Sequence, residues 1–288
     1  MKVRNISSVI SPPPVHFVGD GFRVHNFIPG NMGMERMDPF IMMDYNSKFY
    51  FTPSERQRGV DVHPHRGFET VTIAYKGKVA HHDSTGNSGV IGEGDVQWMT
   101  AGSGMLHKEY HEEEFSKRGG DFQMVQLWVN LPAKYKMTPP AYQAIENKDI
   151  PVVVSEDGKA EAGIIAGHLG ETKGAAKTFS PVQLFNIRMQ EGGTFTVSSP
   201  EDYSTGLLCL SGNVLVNDDK TLNENHFAVF AKTGTDITLR ATADSVLLYL
   251  SGQPLREPIV AHGPFVMNTH QQISEAIADY RSGRFGHL

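Results

Sequence analysis

The chain has 288 residues, enough for one large domain or two of ordinary size, and either can bury a substantial core. With 39% hydrophobic and 20% charged residues it has a globular balance, and its formal charge of -6 offers a nucleic-acid backbone no broad basic surface. No stretch approaches the roughly 20 apolar residues of a spanning helix, and the N-terminus breaks into Ser7-Ser8 and Pro12-Pro13-Pro14 where a signal peptide would be apolar. Direct nucleic-acid binding and membrane insertion are therefore not expected. A cytoplasmic protein is. The lone cysteine, Cys209, sits in Leu207-Leu208-Cys209-Leu210, which predicts a buried, inert thiol in a reducing compartment.

Read in order, short alternating runs dominate: residues 22–28, 71–75, 122–129, 182–189, 194–197, 207–216, 226–230, 237–239 and 246–250. Turn signals such as Lys76-Gly77, Glu93-Gly94-Asp95, Ser211-Gly212-Asn213 and Asn217-Asp218-Asp219 separate them. Regularly spaced short strands predict an all-β sandwich or barrel. No helical pattern interrupts successive strands, as a βαβ sheet would require. The one predicted helix is C-terminal: Asn268-Thr269 can cap it, Ile273, Ala276, Ile277 and Tyr280 share a face, and Gly283 stops it. Covering a barrel edge is the expected use of that face.

A weak repeat divides the chain. Ile73-Ala74-Tyr75-Lys76-Gly77-Lys78-Val79 is similar to Leu208-Cys209-Leu210-Ser211-Gly212-Asn213-Val214, strand, turn and strand in each. The expectation is an N-terminal barrel over residues 1–134, a linker over 135–150 carrying Pro139-Pro140, and a C-terminal barrel with its helix over 151–288. Aligned on Gly77 and Gly212, His63-Pro64-His65 falls against Ser198-Ser199-Pro200, so only the first barrel is expected to hold a ligand pair.

The chemistry concentrates in two short segments. Successive strand side chains point to opposite faces, so His63 and His65 share one face, as do His107 and Glu109. If both segments are strands of one small barrel, three imidazoles and a carboxylate can converge. A bare His-x-His is more often two surface histidines; the second pair and the flanking glycines favour a metal. The mixed N/O set suits Fe2+, Mn2+, Co2+, Ni2+, Cu2+ or Zn2+, and the missing thiolate argues against a closed structural zinc site. Glu69 is an alternative carboxylate. His111 is expected to be exposed because Glu112-Glu113-Glu114 reads as the start of a solvated loop. His81 and His82, adjacent and oppositely directed, read as structural or exposed, and Trp98 as core.

These residues resemble the pirin family of the cupin superfamily. The resemblance runs through 63–70, 94–102, 126–131, 255–258 and 262–269, nearly the whole chain. It implies a bicupin with tandem jelly-roll-like barrels, a metal in the first and a second that has lost its ligands. The implied ligands are His63, His65, His107 and Glu109; Glu69 matches the glutamate that many other cupins use. The chemistry expected at open coordination positions makes Fe2+ the first choice of metal, and the activity implied by the resemblance is quercetin 2,3-dioxygenase, with Glu109 as base and a flavonol-like molecule and O2 as partners. The alternative is a non-catalytic, redox-sensitive iron-binding regulator acting through a protein partner. A monomer is expected.

Overall fold

The alternating runs become strands with little adjustment. Residues 182–189 form the strand Val182–Met189, and 122–129 lie inside Gly120–Asn130. The computed structural model describes residues 2–288. The protein is mostly β, and it divides into two compact units, each built from a seven-stranded and a four-stranded sheet of jelly-roll type. Among the described residues, no helix is long and apolar enough to cross a membrane.

The first unit is Pro14–Asn147 with Leu255–Leu288. Its large sheet runs, in spatial order, Ala141–Ile145, Val96–Thr100, Phe68–Lys76, Gly120–Asn130, Phe40–Phe51, Phe22–Ile28 and His16–Val18; its small sheet runs Gly59–His65, Met105–His111, Val79–Asp83 and Ser88–Ile91. Every partner pair in these sheets is antiparallel. Phe22, Ala74, Val79, Ile91 and Phe122 from both sheets share one buried cluster, which packs the sheets face to face.

The second unit comprises the chain up to Pro13 and Lys148–Pro254. Its sheets have the same order: Ile6–Ile10, Phe227–Phe230, Ser204–Ser211, Ser245–Gly252, Val182–Met189, Ala160–Ala166 and Val152–Val154, then Thr194–Ser198, Asp236–Ala241, Asn213–Val216 and Lys220–Asn223. Gly77 and Gly212 hold equivalent hinges from large sheet to small, with φ of 78° and 74°, a conformation that an L side chain resists. The strands equivalent to the histidine-bearing pair put Phe195, Val197, Ile237 and Leu239 into the buried core. Hydrocarbon fills the place of the ligands. Cys209 lies in that core, where burial pushes its thiol up to about 12.

Both chain ends differ from the expected division. Ile6–Ile10 pairs with Phe227–Phe230, with Ile6 and Val9 packed on the second core. The C-terminal helix, His270–Arg281, belongs to the first unit, where Ile273 and Ala276 pack with Leu106 and Phe265. Thr269 and Gln272 close a capping box at its start. The stretch expected as a linker over 135–150 holds the edge strand Ala141–Ile145 and the buried Lys136. Glu112-Glu113-Glu114 does not open a loop: the Glu112 carboxylate accepts from Glu114 N at 3.1 Å and Phe115 N at 2.9 Å, capping a helix over Glu113–Arg118. Acidic residues there face the positive end of the helix dipole.

Candidate metal centre

Cross-strand register assembles the site. Gly59–His65 pairs with Met105–His111, setting His107 opposite His63 and Met105 opposite His65. The three rings meet: centroids lie 4.3 Å (His63–His107), 4.7 Å (His65–His107) and 4.8 Å (His63–His65) apart. One ring nitrogen from each falls within 4.8 Å of the others. His63 Nδ1 donates to the Asp61 carbonyl at 2.8 Å, which leaves its Nε2 a free lone pair.

Burial, then the neighbouring imidazoles, holds His65 and His107 well below the usual imidazole value, so both rings are neutral. His65 Nδ1 and both nitrogens of His107 are buried with no hydrogen-bond partner. An unpaired buried polar atom costs about 1–3 kcal/mol, and this concentration of them, with lone pairs converging, fits a metal ion. The imidazole cluster marks one metal site.

Glu109 stands beside this group, two residues past His107 and beyond a register shift. It is buried; its Oε2 accepts from Gln126 Nε2 at 2.7 Å and its Oε1 from Thr72 Oγ1 at 3.2 Å. Burial raises its proton affinity, opposed by His63 and these two donors. Glu109, His63 and His65 line a cavity of about 190 Å³ whose other walls include Phe22, Val24, Met42, Met124 and Trp128.

The large sheet beside the cavity has an order of its own, and two members of its polar row, Asp44 and Gln126, line the cavity. Asn26, Asp44, Gln126, Thr72 and Gln97 are directly opposed across five neighbouring strands of the large sheet. Opposed residues share a face, so they form one polar row. The next row, Met42, Trp128, Thr70, Met99 and Tyr142, is largely apolar. Sequence reasoning missed Asp44, Thr72, Gln126 and Trp128. Its one available signal was Gln126, a polar residue in step with Phe122, Met124 and Trp128.

The remaining candidates separate clearly. His111 is buried, against the expectation: its Nε2 lies 2.8 Å from the Gly21 carbonyl, and Phe22, Phe51, Phe115 and Phe122 surround its ring. His81 is buried behind Tyr142, whereas His82 is exposed and stacked on Tyr110. Trp98 is fully buried and does not line the cavity. Arg66, following His65, bonds the Ser103 carbonyl at 2.6 Å and Asp279 at 2.8 Å, tying the ligand strand to the C-terminal helix.

Glu69 lies on the face of its strand opposite Thr72 and accepts from Thr100 Oγ1 at 2.8 Å. Burial pushes its carboxyl up to about 7. A raised folded value means that the folded chain keeps a proton the unfolded chain has released. The stability is present at pH 4 and is lost as pH rises through 7, by about 3 kcal/mol at 1.36 kcal/mol per unit. Glu69→Gln is expected to remove that fall between pH 5 and pH 8, measured by denaturant unfolding at both. An equal fall in the variant would refute a buried, protonated Glu69.

Comparison with known proteins agrees with this geometry. The Pirin family profile matches residues 21–129, and the Pirin C-terminal cupin domain matches residues 184–286. A Pseudomonas aeruginosa protein carrying a provisional quercetin 2,3-dioxygenase name is 45% identical over 94% of this chain and 94% of its own length. Human pirin is 34% identical over 93% of this chain and 89% of its own. The crystal structure of a quercetin 2,3-dioxygenase from Acinetobacter baumannii superposes with a TM-score of 0.93 at 47% identity, covering 98% of each chain. With both halves matched and the histidine cluster in the half that aligns to the first domain, the chain belongs to the pirin family.

Proposed function

We propose that this protein is a metal-dependent dioxygenase that opens the heterocycle of a flavonol such as quercetin with O2, releasing CO. The carrying observation is the cluster of three imidazoles at the cavity, with unpaired buried nitrogens on His65 and His107, beside the buried carboxyl of Glu109. In this reading His63, His65, His107 and Glu109 hold one divalent transition metal. Fe2+ is the first choice, with Mn2+, Co2+, Ni2+, Cu2+ and Zn2+ as alternatives for the same donor set. When bound, the metal supplies Lewis-acid and redox chemistry at that point.

The chain's own residues do the rest. Glu109 takes the proton of the flavonol 3-hydroxyl, and its burial, which raises its affinity for a proton, suits it to that step at neutral pH. Gln126 and Thr72 each hold one of its oxygens, fixing the carboxyl plane. Phe22, Val24 and Trp128 keep water from the electron-rich flavonolate while O2 attacks. The quercetin 2,3-dioxygenase names of similar proteins support the assignment.

The test is metal-free protein reconstituted anaerobically with each ion in turn, then given quercetin and O2. Loss of the flavonol absorbance band with O2 consumption is expected. Glu109→Gln should lower kcat by about 100-fold or more, with metal content measured on the same sample. No turnover with any of the six ions would favour the non-catalytic iron-binding regulator.

A further inference from the structure

The polar row, of which Asp44 and Gln126 line the cavity, carries more than the metal chemistry uses. Its middle members, Gln126 and Thr72, are spent on Glu109. Asp44, next to Gln126 across the strand pair, contacts neither Glu109 nor the histidines by hydrogen bond, yet it lines the same cavity. Asn26 Nδ2 donates to its Oδ1 at 2.8 Å, and Asn26 is itself held by the Ile28 carbonyl at 2.9 Å. One carboxylate oxygen is thus anchored and the other is left to the cavity. A carboxylate on a largely apolar wall costs desolvation unless donors meet it; here burial raises its proton affinity, opposed by Asn26 and by His16. Neighbouring strands lie about 4.8 Å apart, so Asp44 sits roughly one to two spacings along the row from Glu109. That span is about one to two aromatic rings.

We propose that Asp44 recognises the substrate, accepting a hydrogen bond from a phenolic hydroxyl at the end remote from the metal-binding oxygens. The substrate class is then a planar, apolar polyphenol with a chelating pair at one end and a hydroxyl at the other. The inference rests on the flavonol reading, and binding separates the two. Metal-loaded protein is titrated anaerobically with quercetin and with 3-hydroxyflavone, which keeps the chelating pair and lacks the other hydroxyls, following the flavonol absorbance band.

Wild type is expected to bind quercetin about 10- to 100-fold more tightly, the range for a hydrogen bond to a charged group. Asp44→Ala should reduce that preference to within about threefold while 3-hydroxyflavone binds as before. Asp44→Asn, which keeps an acceptor and the Asn26 contact, should fall between. An unchanged preference in Asp44→Ala, a parallel loss of both ligands, or no preference or no binding in wild type would each overturn the inference. Asp44-dependent preference without turnover would leave it standing and sink the dioxygenase reading. Turnover with an unchanged preference does the reverse.

Discussion

Alanine at both His65 and His107 takes bound metal from about one ion per chain to none, measured by elemental analysis after equilibration with Fe2+ or Co2+. His65 and His107 supply two of the three clustered nitrogens, and the variant keeps only His63 and Glu109, half of the proposed donor set. The same site makes an opposite prediction for stability. In the metal-free protein His107 buries two ring nitrogens without partners, so His107→Leu should stabilise the metal-free fold by about 1–3 kcal/mol while destroying the site. In the wild type, metal at 100 times its Kd returns about 2.7 kcal/mol. A residue whose loss helps the empty fold and ruins the loaded one is held for its ligand. Stoichiometric metal in the double variant would sink the assignment.

Lys136→Met is expected to cost about 3 kcal/mol, the largest loss from any single change considered for this protein. The Lys136 ammonium is buried and donates to the Gly67 carbonyl at 2.8 Å, Asn130 Oδ1 at 2.7 Å and the Val266 carbonyl at 2.9 Å. Burial lowers its pKa to about 7, opposed by the Glu257 and Asp38 carboxylates, and three oxygens accept its hydrogen bonds. Methionine fills the volume and leaves all three acceptors unpaired. Gly67 has φ 91°, and a Cβ there would meet the Val266 carbonyl at 2.0 Å, so this crossing has no slack. Because Gly67 lies two residues after His65, metal affinity should fall together with the unfolding midpoint in urea. A midpoint within about 0.2 M of wild type would refute the role given to the ammonium.

The histidine pairs were legible because strand period is local: alternation alone puts His63 beside His65. That the two pairs meet depends on setting His107 opposite His63, a choice made by sheet pairing 44 residues apart. The choice between Glu69 and Glu109 was not available to spacing, since each lies on an alternating run and only the register places Glu69 on the far face. The polar row was invisible for a related reason. No single strand marks its member as special, and the row exists only across five strands. His111 was misplaced because three glutamates resemble solvent-loving loop, whereas the first of them caps a helix. The repeat on Gly77 and Gly212 was readable because a positive-φ hinge needs glycine in both copies.

The exchange of chain ends bears on how the protein is made. The polypeptide passes from one unit to the other at Pro13/Pro14, Asn147/Lys148 and Pro254/Leu255. The metal-bearing unit takes its last elements from residues 255–288, including Asp279 for Arg66 and the Val266 carbonyl for Lys136. On a ribosome, the histidines emerge early, but the frame that steadies them is complete only when the final helix is released. A single cut anywhere between the halves leaves two fragments, each lacking a piece that the other carries. The contacts that steady the histidine strand are therefore complete only once residues 255–288 are in place.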